Sequence, residues 1–158
     1  MDILWAPWRI DYILREKEDG CIFCNRVQQK EDRKHLILHR GKTCFVIMNY
    51  YPYNNGHVMV VPNRHIAELP GLRAEEHNEM MQLVSRSIEV ISEKMMPHGF
   101  NIGMNLGASA GAGVKDHVHF HVVPRWTGDM NFMPVTGHTK VISEALELTW
   151  ERLKDGFQ

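Results

Sequence analysis

Apolar and polar positions alternate most strictly in His117-Val118-His119-Phe120-His121-Val122-Val123-Pro124-Arg125. That pattern predicts a strand with Val118, Phe120 and Val122 on a core face and His117, His119 and His121 on the other. Earlier in the chain, His35 to Arg40 and Lys42 to Asn49 read as two strands joined at Gly41, and His57 to Pro62 as a third. Between the last two lies Tyr50-Tyr51-Pro52-Tyr53-Asn54-Asn55-Gly56, a turn by composition. From about Ala74 to Met96 the apolar period changes to that of a helix, with Met80, Leu83 or Val84, Ile88, Ile91 and Met95 on one face; Pro97 and Gly99 end it. Phe100 to Leu106 reads as a fourth strand, and a last helix spans roughly Val141 to Lys154. Cys21 to Asn25 opens a short helix or knuckle, followed by a charged stretch through Lys34. Residues 1–20 form an N-terminal arm whose Trp5, Trp8, Ile10, Tyr12 and Ile13 are suited to pack on a core or a second subunit. The expected fold class is α+β, a mostly antiparallel sheet with one long crossing helix and a C-terminal helix.

Composition narrows the picture. The 158 residues fit one domain, 1–158, with 44% hydrophobic and 23% charged residues, as in an ordinary globular chain. A formal net charge of −1 provides no global field for nucleic acid or an anionic membrane, so any phosphate site is local. The start, Met1 to Pro7, has no cationic segment followed by an apolar one, and no apolar run approaches the ~20 residues that span a bilayer. With three cysteines, two of them in a Cys-x-x-Cys, a disulfide framework is disfavoured and a cytoplasmic location with a metal or redox pair is expected.

Three imidazoles on one strand face carry the candidate chemistry. The outer two lie about 13 Å apart at strand spacing, so a single metal does not easily take all three. Either they divide their roles or two of them share one ion, as in sheet-based zinc enzymes.

Cys21 and Cys24 supply two thiolates at metal-binding spacing. A thioredoxin-like redox pair would need a βαβ setting, which is missing. His65 and His117 are candidates to complete four ligands, but spacing alone does not select His65 over His39 or His57. His35, His39, His77, His98 and His138 sit in polar or helical contexts and are expected at the surface.

Asn105-Leu106-Gly107-Ala108-Ser109-Ala110-Gly111-Ala112-Gly113-Val114-Lys115-Asp116 leads into the histidine strand. Its small residues allow close approach of backbone to a ligand, and successive N–H groups can form an anion nest. The loop has no Gly-Lys-Ser/Thr and runs into a strand, so it is not a P-loop. Taken by itself, it is equally a flexible hairpin connection.

Together these segments resemble the histidine triad (HIT) superfamily of nucleotide hydrolases and transferases. The resemblance rests on His-x-His-x-His followed by an apolar pair, the small-residue loop before it, Asn49 followed eight residues later by His57, and Cys-x-x-Cys with Pro62-x-x-His65. Leu4 to Ile13, Asn105-Leu106-Gly107 and Pro124 to Pro134 look like the bacterial branch of diadenosine tetraphosphate phosphorylases and adenylyltransferase-like members. The resemblance implies that His119 attacks an α-phosphate to form a nucleotidyl-imidazole, which phosphate or water resolves. It implies that His121 and His57 bind phosphate oxygens or orient His119, that Asn49 contacts ribose, and that Asn105 with Gly111, Ala112 and Gly113 holds phosphates. It also implies structural Zn2+ on Cys21, Cys24, His65 and His117, and a homodimer. Trp126 either stacks on a base or packs at a subunit interface. Gly113 stands where relatives often carry a hydroxyl, and Ser109 is the only hydroxyl nearby, so water or phosphate as acceptor stays open.

The expected activity is cleavage of dinucleoside polyphosphates, with phosphorolysis slightly preferred over hydrolysis. A nucleoside phosphoramidase of the same family, a nucleotide-binding signalling module and a zinc-dependent hydrolase are the alternatives.

Overall fold

The chain was analysed as a computed structural model that describes residues 19–129 and 142–158. The arm's Trp5, Trp8, Ile10, Tyr12 and Ile13, the run Met130 to Pro134, His138, and Val141 at the expected start of the last helix lie outside the described residues.

Five strands, β1 (Ile37–Arg40), β2 (Cys44–Met48), β3 (Val58–Pro62), β4 (Gly99–Gly103) and β5 (Phe120–Arg125), form one sheet in the order β1-β2-β3-β5-β4. Every neighbouring pair is antiparallel. Among the described residues the α-helices are α1 (Ile22–Gln28), α2 (Asp32–His35), α3 (Ala74–Met95) and α4 (Leu146–Leu153). The architecture is α+β, as expected.

Strand alternation divides the core in two. Cys44, Val46, Met48, Val58, Val60 and Val122 turn to one face and pack against Met80, Leu83, Val84, Val90 and Ile91 of α3, with Trp150, Leu153 and Phe157 closing the edge. Phe45, Ile47, Met59 and Val61 turn to the other face, where Phe23 of α1 covers them. β2 and β3 are buried on both faces, which explains their continuous apolar runs.

Helix α3 matches its periodic reading within one residue. Its N-terminus is fixed by Glu76, which accepts the Arg73 N–H at 2.7 Å and takes two bonds from the Arg64 guanidinium, at 2.9 and 2.6 Å. One turn on, the Glu79 carboxylate gathers the N–H groups of Lys42, Thr43 and Cys44 at 2.8, 2.5 and 3.0 Å, and accepts the Thr43 hydroxyl. It thereby closes the β1–β2 turn, and a Cβ added at Gly41 would meet Glu79 Oε1 at 2.5 Å.

Several boundaries differ from expectation. The first strand begins at Ile37, because Asp32–His35 is helical and Leu36 turns the chain with φ of 57°. β4 ends at Gly103, and α4 begins at Leu146 behind the extended Ala145. The histidine strand begins at Phe120. Beyond Val60↔Phe120 the ladder stops: the Val118 N–H goes to the Ile66 carbonyl at 2.7 Å, and the Pro62 carbonyl takes a ring N–H of His117 at 2.9 Å.

Candidate active site

The histidine run leading into β5 lies beside β3 and against Phe23 of α1. His117, His119, His121 and His57 are all buried, at 0, 5, 9 and 0% exposure, and three of these rings form one contiguous set. His119 packs at a right-angled 4.7 Å from His121, and His121 lies 5.0 Å from His57.

Hydrogen bonds fix which nitrogen of each ring bears the proton. The Tyr53 N–H donates to His57 Nδ1 at 3.0 Å, so a neutral His57 carries its proton on Nε2. That Nε2–H donates to His121 Nδ1 at 2.9 Å, which leaves His121 with its proton on Nε2. His119 is set the opposite way. Its Nδ1–H donates to the His117 carbonyl at 2.8 Å, so Nε2 keeps a free lone pair. Burial pushes the His121 imidazole down to about 4, with the neighbouring His119 adding to the effect. Burial lowers His119 as well, against the opposing pull of its bond to the His117 carbonyl. Near neutral pH the site therefore presents a nucleophilic nitrogen on His119 beside an N–H donor on His121.

The turn before β3 holds this relay in place. Asn49 Oδ1 accepts the Tyr51 N–H at 2.9 Å, and Asn49 Nδ2 lies 3.4 Å from His57 Nδ1. Asn54 donates to the Pro124 carbonyl at 3.0 Å and to Asp129 at 2.7 Å, while Asp129 also binds Arg125 through both carboxylate oxygens, at 2.7 and 2.8 Å. Gly56 adopts φ of 74° where a Cβ would meet Met95 Sδ at 2.7 Å, so glycine is required to bring the chain back into β3.

On the same face, Cys21, Cys24, His65 and His117 bring their donor atoms within 4.8 Å of one another. His117 Nδ1 lies 3.2 Å from Cys21 Sγ and 3.6 Å from Cys24 Sγ, and His65 Nδ1 lies 3.4 Å from Cys24 Sγ. Because Nε2–H of His117 is held by the Pro62 carbonyl, the Nδ1 lone pair points into the cluster. Nitrogen and sulfur ligands on one tetrahedral zinc would be about 3.5 Å apart, so this donor set fits a metal ion of that type. The third cysteine, Cys44, takes no part; burial pushes its thiol up to about 11.

The small-residue loop is exposed for most of its length. Gly111 adopts φ of 83°, and Asn105 Nδ2 reaches its carbonyl at 3.5 Å. Ala112 and Gly113 complete the bend into Val114. Trp126 is half-buried, and its backbone N–H donates to Asp129 at 3.1 Å. His35, expected at the surface, is buried and bonds Gln29 at 2.6 Å. His39 Nδ1 lies 3.0 Å from the Phe157 carbonyl.

Two aromatic residues join the site without having been assigned a role from sequence. Phe23, fully buried, sets its ring 5.4 Å from His117 and 5.0 Å from His119. Tyr53, half-exposed, lies 4.7 Å from His57 and 5.4 Å from His121. The available signals were an aromatic between two metal-spaced cysteines and three tyrosines within one four-residue stretch of the turn.

The HIT domain family matches residues 29–128. The chain belongs to that family. It is 42% identical over 154 residues to the AP-4-A phosphorylase of Mycobacterium tuberculosis, covering 92% of this chain and 79% of that protein. It is 32% identical over 95 residues to the asymmetrical bis(5'-nucleosyl)-tetraphosphatase of Schizosaccharomyces pombe, covering 60% of this chain and 52% of that one. Its fold superposes on a Zn-bound histidine triad family protein from Mycobacterium smegmatis with a TM-score of 0.70 at 24% identity, covering 87% and 93% of the two chains. The HIT chain described here is thus an enzyme of a nucleotide-processing family. Among its described residues, no helix is long and apolar enough to cross a membrane.

Proposed function

We propose that this HIT enzyme cleaves dinucleoside polyphosphates such as diadenosine tetraphosphate through a covalent nucleotidyl-His119 intermediate, with inorganic phosphate preferred over water as acceptor. The observation that carries this reading is the His119 Nδ1–H bond to the His117 carbonyl, which leaves Nε2 as a free lone pair. In the first step Nε2 attacks the α-phosphorus and the bond to the bridging oxygen breaks. Nucleoside triphosphate leaves, and no proton has to be removed from the attacking nitrogen. The Nδ1–H left on the modified ring makes it cationic, and the His117 carbonyl stabilises that charge. In the second step a phosphate oxygen attacks the same phosphorus, the N–P bond breaks, and nucleoside diphosphate departs with neutral His119 restored. Phosphoryl transfer of this kind relies on position and charge stabilisation, which the buried, hydrogen-bonded His119 ring beside β5 and a fixed N–H donor supply.

In this reading His121 Nε2–H binds a phosphate oxygen, His57 fixes the His121 tautomer, and Asn49 contacts ribose. Asn105, Gly111, Ala112 and Gly113 hold the phosphate chain, and Trp126 takes a base or an interface. Cys21, Cys24, His65 and His117 would hold Zn2+, which when bound supplies a structural cross-link between α1, the segment after β3 and the start of the histidine run. The similarity to the phosphorylase at 42% identity supports the choice of substrate and acceptor. In this reading residues 1–158 act as a single domain in a cytoplasmic homodimer.

Product analysis tests the proposal. Diadenosine tetraphosphate with phosphate should yield ADP and ATP, while water as acceptor would yield AMP and ATP. His119→Ala should lose at least about 10³-fold in turnover while retaining nucleotide binding, and mass spectrometry should find adenylate on the His119 peptide of the wild type. Turnover by His119→Ala near the wild-type rate would end the assignment.

A further inference from the structure

Phe23 occupies a position that neither a ligand set nor a substrate contact accounts for. It lies between the two cysteines of Cys21-Ile22-Phe23-Cys24 on the first turn of α1, and it is fully buried. Its ring meets His117 edge-on at 5.4 Å and 79°, meets His119 at 5.0 Å and 57°, and backs onto Phe45 at 6.5 Å. One side chain thus touches both a donor of the four-residue cluster and the imidazole with the free nitrogen. The two cysteines that flank it are themselves members of that cluster, so whatever fixes their sulfur atoms also fixes the backbone from which the Phe23 ring projects.

Two kinds of contact set the orientation of the His119 ring. Its Nδ1 is held by the His117 carbonyl, and its Nε2 must remain open to a ligand. The ring packs against two others, His121 at 4.7 Å and Phe23 at 5.0 Å. His121 is itself pinned by His57, so the Phe23 side is where the position of His119 depends on α1.

We infer that Phe23 is a positioning residue that transmits occupancy of the Cys21–Cys24–His65–His117 cluster to the orientation of the His119 ring. The cluster then does more than staple α1 to the sheet: loading it with metal sets the aim of the nucleophile. This inference rests on the proposed role of His119, but its primary readout is the ring itself, not the reaction.

The test uses the full chain labelled with 15N-histidine, loaded with zinc, with the His119 ring signals identified by their loss in His119→Gln. Stripping zinc with a chelator should move the His119 ring signals of the wild type. In zinc-loaded Phe23→Leu, with metal content equal to wild type, those signals should already be displaced, and stripping should move them less. The same variant should lose roughly 10- to 100-fold in kcat, the scale set by misplacing a reacting group by about an ångström, while AMP affinity stays within about twofold. His119 signals unmoved by Phe23→Leu in the zinc-loaded protein would overturn the inference, and so would wild-type signals that shift at His65 and His117 alone when zinc is removed. If the stripped chain unfolds, zinc-loaded Phe23→Leu decides by itself. Failure of the nucleophile assignment is seen separately, as turnover in His119→Ala.

Discussion

His57 donates its Nε2–H to His121 Nδ1 across 2.9 Å, and it does so because the Tyr53 N–H occupies its other nitrogen. The proton of His121 is thereby forced onto Nε2, the nitrogen left over for a ligand. Replacing His57 with Phe removes the donor and leaves His121 free to place its proton on Nδ1. We expect turnover to fall by about 10- to 100-fold, the range for losing one pre-oriented hydrogen-bond donor or positioning group. The 15N shifts of the His121 ring should report the exchanged tautomer. An unchanged His121 ring spectrum would break the relay at its second link.

Acid should act on the fold in two separate windows. His121 binds a proton near 6.5 when unfolded but only near about 4 when folded, because burial disfavours its charged form. The unfolded state therefore holds more protons between those values, and stability declines as pH falls through them, by on the order of 1 kcal/mol per pH unit. Above about 6.5 this contribution is flat. Urea unfolding at pH 7, 6 and 5 should show the decline, and His121→Gln should make it shallower, with the other buried histidines His117 and His119, also lowered by burial, keeping the rest.

Glu76 acts lower on the scale. The Arg64 guanidinium beside it, with the Arg73 N–H, holds its carboxyl down at about 2 against an ordinary 4.5. A depressed carboxyl stabilises above its unfolded value and loses that contribution as pH falls from about 4.5 toward 2. Arg64 is partly exposed, so solvent screening reduces the worth of the pair to about 1–2 kcal/mol. Glu76→Gln should lower Tm by roughly 2–8 °C at pH 7, at about 2–4 °C per kcal/mol. Near pH 2.5 the difference from wild type should shrink to roughly a quarter, as calorimetry across pH would record.

Removal of one thiolate tests the proposed metal centre. Cys24 Sγ lies within reach of both His65 and His117, so Cys24→Ser takes a ligand away from the middle of the set. Zinc measured by atomic emission should fall from about one per chain to well below half. Tm should fall by several degrees, since metal binding contributes directly to folding free energy. Equal zinc and equal Tm in the variant would exclude the four-donor arrangement.

Long, regular patterns in the chain predicted the structure well. The 3.6-residue period placed α3 to within one residue, and the segments holding β2 and β3 read as strands, though their cover on both sides came only from the structure. Short elements were less legible. Asp32–His35 carries four polar residues with no apolar period, yet it forms a helical turn closed by the left-handed Leu36. The histidine run read as one uninterrupted strand, whereas its first three residues leave the ladder to serve Ile66 and Pro62; no local pattern encodes that exchange of long-range partners. The histidines that the fold brings together, His57, His119 and His121, had been singled out from the sequence, but their tautomers were not legible there. Those depend on a backbone N–H at Tyr53 and carbonyls at Pro62 and His117, groups that every residue carries alike. Phe23 escaped notice for the same kind of reason: a buried aromatic looks like core until its neighbours are known.

The Glu79 carboxylate that collects three amides of the β1–β2 turn makes that turn intolerant of engineering. Splicing a reporter peptide between Arg40 and Cys44 would strip those amides from their acceptor, and even a methyl group at Gly41 collides with it. Breakpoints for circular permutation or epitope insertion should therefore be sought in exposed loops away from this turn.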